Sequence, residues 1–369
     1  MKIAAIELIR VVIPLRAAFA HASAARASAD AILVRISCDE GIQGYGEIQP
    51  RKYVTGETHE GVLASAVPRA AGWLGTSVPD FAAALGLCNA ALDQAGRELA
   101  LAGGFELALL DLAGRRFGVP LASALGPVLR DPLPAGVVIG FEVTNVARHA
   151  AMLRLSGRRH IKVKVGRDDD ETRLRAIASV LPDVALRLDA NEAWTADVAI
   201  ARLQALSAAG VNIASIEQPV PAADLAGLRR VRVETGVPVM ADESLCSLDD
   251  ARALLDVADV FHVRIGKMGG VLGARRIVEL GLSHEIGMQL GTMVGETGIL
   301  GRAAEIFGRC VRGFDCLDGK AQNEHLLSDD VLEAPASARD APLDTPGLGV
   351  LVSDHKLTRW MVGSPISVK

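Results

Sequence analysis

The sequence lacks the features that mark disulfide-linked, zinc-binding and membrane-spanning proteins. Its five cysteines are an odd number, widely scattered and without a Cys-x-x-Cys pair, which favours a reduced, cytoplasmic chain without structural zinc. No run of about 18 uncharged apolar residues occurs, so no segment is predicted to span a membrane. Glu7, Arg10 and Arg16 interrupt the apolar N-terminus, which is predicted to form a first strand and not a signal peptide.

The sequence also lacks a surplus of basic charge. The net charge is −5, acidic and basic residues are interspersed, and no run of Lys or Arg could follow a phosphate backbone. Nucleic acid is therefore not an expected partner. A length of 369 residues, half of them apolar, predicts two domains or one barrel with a capping domain.

The apolar pattern divides the chain into three parts. Residues 1–126 show strands followed by helical periodicity, which predicts an α+β domain. Across residues 132–320, eight short apolar strands alternate with helical stretches, as a closed (β/α)8-type barrel requires. The alternative, a doubly wound open sheet, would need a glycine-rich turn after its first strand, and "GFEVTN" is not one. Residues 321–369 are predicted to return to the first domain.

Charged residues end six of the predicted barrel strands. Successive members of the set lie about 25 residues apart, close to one βα unit, which predicts that they share the rim where barrel enzymes carry their active sites. The set comprises Lys164, Asp189, Glu217, Asp242, Lys267 and Glu296.

The three carboxylates of Asp189, Glu217 and Asp242 predict a metal site. Like charges that converge on one point repel strongly unless a cation lies among them. A hard divalent ion with oxygen ligands, typically Mg²⁺, meets that requirement and leaves coordination positions for substrate.

Two lysines flank these acids. Lys164 ends the second strand and Lys267 the sixth, so they are predicted to face each other across the barrel mouth as general bases. In "HIKVKVG", Lys162 and Lys164 alternate with Val163, so both should point toward the barrel axis while Ile161 and Val165 pack outward.

Several motifs together are similar to those of a known family. With "IKVKVG", "RLDANEAW", "IEQP", "MADES", "KMGG" and "ELALLDLAGR", the chain resembles the mandelate racemase and muconate lactonizing enzyme family of the enolase superfamily, specifically its muconate lactonizing subgroup. The resemblance implies a modified TIM barrel, (β/α)7β, with an N-terminal α+β capping domain completed by the C-terminal segment. It also implies a homo-oligomer.

The resemblance assigns roles to the site residues. Asp189, Glu217 and Asp242 would bind Mg²⁺, with Mn²⁺ as an alternative, and Lys164 and Lys267 would be the acid/base pair. Lys162 would neutralise the substrate carboxylate or depress its neighbour's pKa. Two capping-domain loops, "LRAAFAHASAAR" and "PRKYVTGET", would select the substrate. The remaining substrate-binding candidates are Asn191, expected also to support the metal shell, with Glu296, Tyr53 and Thr55.

The function implied is a Mg²⁺-dependent isomerase that removes a proton α to a carboxylate and gives a metal-stabilised enediolate. A racemase or epimerase of an amino acid derivative or dipeptide, and a muconate-type cycloisomerase, both remain open. Dipeptide epimerases of the subgroup hold the substrate ammonium with an Asp-x-Asp, whereas "FDCLDG" spaces Asp315 and Asp318 differently. The alternatives are an acid-sugar or hydroxy-acid dehydratase, a metal-free Schiff-base enzyme, and a binding scaffold without activity.

Two polar residues inside the sixth predicted strand receive no catalytic role from the sequence. His262, within "VFHVRIG", is interpreted as a core histidine whose hydrogen bonds are satisfied, and Arg264 shares its face.

Overall fold

The computed structural model describes residues 1–21, 24–334 and 342–369. For residues 19–21 and 24–25 it describes the backbone alone. The N-terminal domain is an antiparallel sheet of β1 (Ile3–His21), β2 (Ala24–Cys38) and β3 (Gln43–Ile48). The chain's last strand pairs with β1, placing Ile6 opposite Val368. Four helices follow β3: α1 (His59–Trp73), α2 (Phe81–Asp93), α3 (Leu99–Phe117) and α4 (Leu121–Leu125).

The second domain is a barrel of eight parallel strands. They pair in chain order, and a parallel bridge between Ala135 and Leu317 joins the last strand to the first. The strands are β4 (Val137–Ile139), β5 (Ile161–Lys164), β6 (Leu186–Asp189), β7 (Ile213–Glu217), β8 (Val239–Ala241), β9 (Val260–Val263), β10 (Gly287–Gly291) and β11 (Leu317–Asp318).

Seven helices connect these strands. They are α5 (Val146–Leu155), α6 (Asp170–Val180), α7 (Ala196–Ala208), α8 (Leu225–Thr235), α9 (Leu248–Leu254), α10 (Gly270–Ser283) and α11 (Gly298–Cys310). Helix α12 (Lys320–Leu326), helix α13 (Asp354–Trp360) and strand β12 (Ile366–Val368) complete the chain. The expected (β/α)7β barrel with its α+β capping domain is confirmed.

Two local expectations are wrong. The predicted loop "LRAAFAHASAAR" continues the β1–β2 hairpin, since β1 extends to His21 and β2 begins at Ala24; residues 22 and 23 lie outside the described residues. Lys267 does not end the sixth strand. That strand stops at Val263, and Lys267 lies on a 3₁₀ turn, Ile265–Lys267.

Local sequence signals explain where the barrel helices begin. At five of them, a side-chain oxygen of the preceding residue accepts a backbone N–H of the first turn, satisfying a donor that the helix itself leaves unpaired. These residues are Asn145, Thr195, Asp224, Ser247 and Thr297.

Helix α3 lies between the two domains and is buried along almost its whole length. Glycines allow this close packing. A Cβ at Gly46 of β3 would lie 1.9 Å from the Gly104 carbonyl oxygen, and one at Gly103 would lie 2.6 Å from the Gly270 nitrogen of the barrel. The helix therefore contacts the capping sheet on one side and the barrel on the other.

The five cysteines are free and buried. Among the described residues, no helix is both long and apolar enough to cross a membrane.

Substituting Gly46 with Ala should destabilise the protein by about 1–3 kcal/mol, because the added methyl group pushes α3 off the sheet. The matched control is Gly86→Ala on the exposed face of α2, where nothing lies within 4 Å of the new Cβ. That change should stabilise by up to about 1 kcal/mol. Urea unfolding of both variants checks the opposite signs; equal stabilities would contradict the packing argument.

Candidate active site

The second strand carries both lysines of "IKVK" into the barrel. Lys162 and Lys164 are buried and line the cavity at the barrel mouth, while Ile161, Val163 and Val165 are buried in the apolar core. The predicted alternation is therefore confirmed, and it explains how one strand holds two ammonium groups on the same face.

The three predicted acids come from adjacent positions on the rim. Asp189 and Glu217 are register partners at the ends of β6 and β7, and Asp242 follows the last residue of β8. All three are fully buried. The structure therefore brings the carboxylates together, as the spacing along the sequence predicts.

Each outer acid pairs with a different candidate base. Lys164 Nζ lies 2.7 Å from Asp189 Oδ2, and Lys267 Nζ lies 2.8 Å from Asp242 Oδ1. Lys162 Nζ forms ion pairs with two of the acids, at 3.1 Å from Asp189 and 3.0 Å from Glu217. Because Asp189 and Asp242 lie on opposite sides of Glu217, the bases Lys164 and Lys267 are on opposite sides of the acid cluster.

These contacts set the charge states of the acids. Burial opposes ionisation of Asp189, but Lys164 and Lys162 outweigh it and hold its pKa well below the usual range. The same balance applies at Asp242, where Arg264 and Lys267 outweigh burial and lower its pKa. Burial also opposes the charge of Lys162, yet Glu217 and Asp189 raise its pKa. Asp189 and Asp242 are thus ionised carboxylates beside buried cations.

The interpretation of His262 as a core histidine outside the site is wrong. Its Nδ1 lies 2.8 Å from Glu217 Oε1, and the side chain lines the mouth cavity. Arg264 is also part of the site, since it forms ion pairs with Asp242 and Glu217. His262 lies in β9 and Arg264 directly follows it, and their two-residue spacing was the signal for a shared inward face.

Glu243, which the sequence interpretation did not single out, adds a fourth carboxylate. Its Oε1 accepts a hydrogen bond from Asn191 Nδ2 at 3.0 Å, whereas its buried Oε2 has no hydrogen-bond partner among the described residues. Burial and the charge of Asp242 raise the pKa of Glu243 to about 8.

The remaining candidates differ in their placement. Tyr53 and Asn191 line the mouth cavity, and Asn191 Oδ1 also accepts a hydrogen bond from Lys164. Thr55 bonds within its own loop, and Glu296 Oε1 accepts the Met293 N–H at 2.8 Å, so neither side chain lines this cavity. A substrate contact by Thr55 or Glu296 stays a prediction without support from this placement.

The two acids near the last strand are not equivalent. Asp315 is exposed and pairs with Arg130. Asp318 is buried and makes two hydrogen bonds with Arg187, at 2.6 and 2.9 Å. Arg187 reaches Asp318 from β6, and the sequence interpretation did not identify this pair. Neither aspartate is left uncompensated for binding an ammonium group.

The geometry also offers a second set of metal ligands. One carboxylate oxygen each from Glu217 and Asp242 and one ring nitrogen of His262 lie within 4.8 Å of one another. The distance from His262 Nδ1 to Glu217 is that of a hydrogen bond, so we interpret His262 as orienting Glu217. Asp189 supplies the third oxygen of the predicted set.

Comparisons with known proteins agree with this geometry. The family model "Enolase C-terminal domain-like" matches residues 145–356, and the model "Mandelate racemase / muconate lactonizing enzyme, N-terminal domain" matches residues 4–126. The chain belongs to the mandelate racemase/muconate lactonizing enzyme family. It is an isomerase of the enolase superfamily, as are the relatives named epimerase and cycloisomerase.

The relatives in this family differ in the substrate they are named for. A hydrophobic dipeptide epimerase of Citrifermentans bemidjiense is 33% identical over 91% of this chain and 94% of its own. Muconate cycloisomerase 1 of Pseudomonas putida is 31% identical over 89% and 90%. Among solved structures, a dipeptide epimerase of Cytophaga hutchinsonii with Mg and D-Ala-L-Val has a TM-score of 0.85 at 25% identity, covering both chains fully.

Removing Arg187 alone should leave Asp318 as a buried charge with only Lys162, 3.9 Å away, to offset it. Arg187→Leu is expected to destabilise this family member by about 3–5 kcal/mol. The double variant Arg187→Leu/Asp318→Leu removes both charges and should recover much of that loss. Urea unfolding measures both; a double variant as unstable as the sum of the two single variants would contradict a coupled ion pair.

Proposed function

We propose that this protein is a Mg²⁺-dependent racemase or epimerase that moves the proton on the carbon next to a substrate carboxylate. The observation that carries the proposal is the placement of two lysines on opposite sides of one cluster of buried carboxylates. Lys164 bonds to Asp189, and Lys267 bonds to Asp242. A one-base reaction would not need this arrangement, because a single lysine serves a single face of the substrate.

The acid cluster fits the chemistry of the metal that the family implies. Asp189, Glu217 and Asp242 offer only oxygen ligands, which Mg²⁺ prefers, and Glu243 places an unpartnered carboxylate oxygen in the same buried region. These residues would hold the ion. When bound, it neutralises the charge that develops on the substrate carboxylate as the α-proton leaves.

The protein's own side chains then move the proton. Lys164 Nζ or Lys267 Nζ, whichever faces the C–H bond, takes the proton from the α-carbon. The lysine on the other side returns a proton to the opposite face, which inverts the centre. Lys162 holds a positive charge beside Asp189 and Glu217 and supports an anionic substrate there. Tyr53 and Val54 of the capping domain cover the cavity and limit access of water.

We propose that the amino nitrogen of the preferred substrate carries an acyl group and no charge. The support comes from Asp318, whose carboxylate is already paired with Arg187, and from Asp315, which is exposed on the surface. Asp318 lines the cavity, but Arg187 already offsets its charge, whereas Arg264 and Lys162 line the same cavity and favour a second anionic group.

A dipeptide epimerase is the second candidate function. It is favoured by the names of the relatives, among them the Citrifermentans bemidjiense enzyme. A matched pair of probes separates the two candidates: N-succinyl-leucine and L-alanyl-leucine share the reacting leucine and differ in whether the molecule carries an ammonium group. We expect faster α-proton exchange with N-succinyl-leucine; a strong preference for the dipeptide would favour the second candidate.

Adding Mg²⁺ or Mn²⁺ to protein treated with EDTA should raise the melting temperature, because a ligand that binds only the folded state stabilises it by about 2.7 kcal/mol at a hundredfold excess over Kd. Asp189→Asn and Glu217→Gln should abolish this shift. Asp249→Asn, which changes an exposed acid on α9, is the control and should retain it. Thermal unfolding and calorimetric titration measure the effect; a full shift in Glu217→Gln would contradict the assigned ligands.

Lys164→Ala and Lys267→Ala should each abolish racemisation, yet each should still exchange the α-proton of one enantiomer in D₂O. Because each variant lacks one of the two bases, its exchange of the other enantiomer's α-proton is expected to slow by about 10²–10⁴-fold. Proton NMR of N-succinyl-L-leucine and N-succinyl-D-leucine measures both rates, with the exposed Lys2→Ala as control. If both variants lose exchange of both enantiomers equally, the two-base proposal is wrong.

A further inference from the structure

A buried carboxylate of the capping domain bonds to the barrel next to one of the two lysines. Glu106 lies in the middle of α3, within the "ELALLDLAGR" motif that the proposed reaction does not use. Its Oε2 accepts the N–H of Val271 and its Oε1 the N–H of Leu272, both at 2.8 Å. These are first-turn donors of α10, so a side chain from one domain caps a helix of the other.

The backbone around this contact leaves no spare room. A Cβ at Gly270 would lie 1.7 Å from Glu106 Oε2, and the φ of +81° at Gly270 is itself one that favours glycine. From the other side, Gly103 of α3 packs against the Gly270 nitrogen. The start of α10 is therefore fixed in position by α3 and by the Glu106 carboxylate.

Lys267 lies only three residues before this capped turn. Its 3₁₀ turn is closed by the Lys267 N–H bonding to Arg264 O at 3.2 Å. The chain then passes through Met268, Gly269 and Gly270 to the two N–H groups that Glu106 accepts. Lys267 is thus held between β9 on one side and the start of α10 on the other, and a shift in the start of α10 would move the Lys267 backbone relative to Asp242.

Lys164 has a different support. It ends β5 in register with Asp189, and Arg173 of α6 donates a hydrogen bond to its carbonyl oxygen at 3.1 Å. Both supports belong to the barrel. A change at Glu106 is therefore expected to displace Lys267 more than Lys164.

We infer that Glu106 is a positioning residue for Lys267 and sets the rate of proton transfer on one face of the substrate only. This inference rests on the proposed two-base reaction. A carboxylate that merely stabilises the domain interface would affect both faces alike, since both lysines depend equally on a folded barrel.

The test uses Glu106→Gln, which keeps the shape of the side chain but replaces one of the two acceptor oxygens with an NH₂ group. The matched control is Asp111→Asn on the same helix. Asp111 is also buried and accepts two backbone N–H groups, from Tyr45 and Leu348, which belong to the capping sheet and the C-terminal segment. Neither donor adjoins a site lysine. Glu106→Asp, which keeps the carboxyl group but withdraws it by one methylene, is the milder second variant.

The measurement is α-proton exchange of N-succinyl-L-leucine and N-succinyl-D-leucine in D₂O. In Glu106→Gln, exchange of the enantiomer that depends on Lys267 should fall about ten- to a hundredfold, as for a displaced catalytic group. Exchange of the enantiomer that depends on Lys164 should change less than about twofold. Glu106→Asp should show the same selectivity, and Asp111→Asn should leave the ratio of the two rates unchanged.

The outcomes separate this inference from the proposed function. If Lys164→Ala and Lys267→Ala behave as expected but Glu106→Gln and Glu106→Asp slow both enantiomers equally, the positioning role is wrong while the two-base reaction stands. An altered ratio in Asp111→Asn would also overturn it, because loss of any buried carboxylate on α3 would then suffice. If the unmodified protein exchanges neither enantiomer, the proposed function fails and the inference with it.

Discussion

The structure depends on offsetting the repulsion among the carboxylates that are buried at one end of the barrel. In a medium of low polarity, three such charges a few ångströms apart are costly unless opposite charges lie among them. Here each acid has a cation: Lys164 at Asp189, Lys162 at Glu217, and Lys267 with Arg264 at Asp242. The buried acids therefore require the lysines, and the same pairing places the two lysines of the proposed two-base reaction on opposite sides of the acid cluster.

A charged barrel mouth needs rigid support from outside, because charged pairs hold their geometry only if their backbones do not move. Helix α3 supplies part of that support. Its glycines let the capping sheet and the barrel approach its backbone closely, and two buried carboxylates on it accept backbone N–H groups from its neighbours. The capping domain therefore also fixes one wall of the site, because α3 contacts both the capping sheet and the start of α10.

The sequence predicts the parts of this protein that follow a regular period. Alternation identified all eight barrel strands, and the spacing of about one βα unit placed Asp189, Glu217 and Asp242 on one rim. Features that depend on contacts between distant positions were missed. His262 looked like a core residue because the strand around it is apolar, and its bond to Glu217 joins residues 45 positions apart. The distal part of the β1–β2 hairpin, "LRAAFAHASAAR", was interpreted as a loop because its Ala-rich sequence has few β-branched residues, and pairing between the strands overrides that preference.

The charge balance of the site bears on its substrate. Around the mouth, the cationic side chains are Lys162, Lys164, Arg187, Arg264 and Lys267, and the carboxylates are Asp189, Glu217, Asp242, Glu243 and Asp318. In their ordinary ionised forms these five cations and five carboxylates balance. A bound Mg²⁺ would add two further positive charges. A substrate with a carboxylate and a second anionic group offsets this excess, whereas the ammonium of a dipeptide adds to it. Lys162 and Arg264 line the mouth cavity, so they are the cations that a second anionic group of the substrate would meet there.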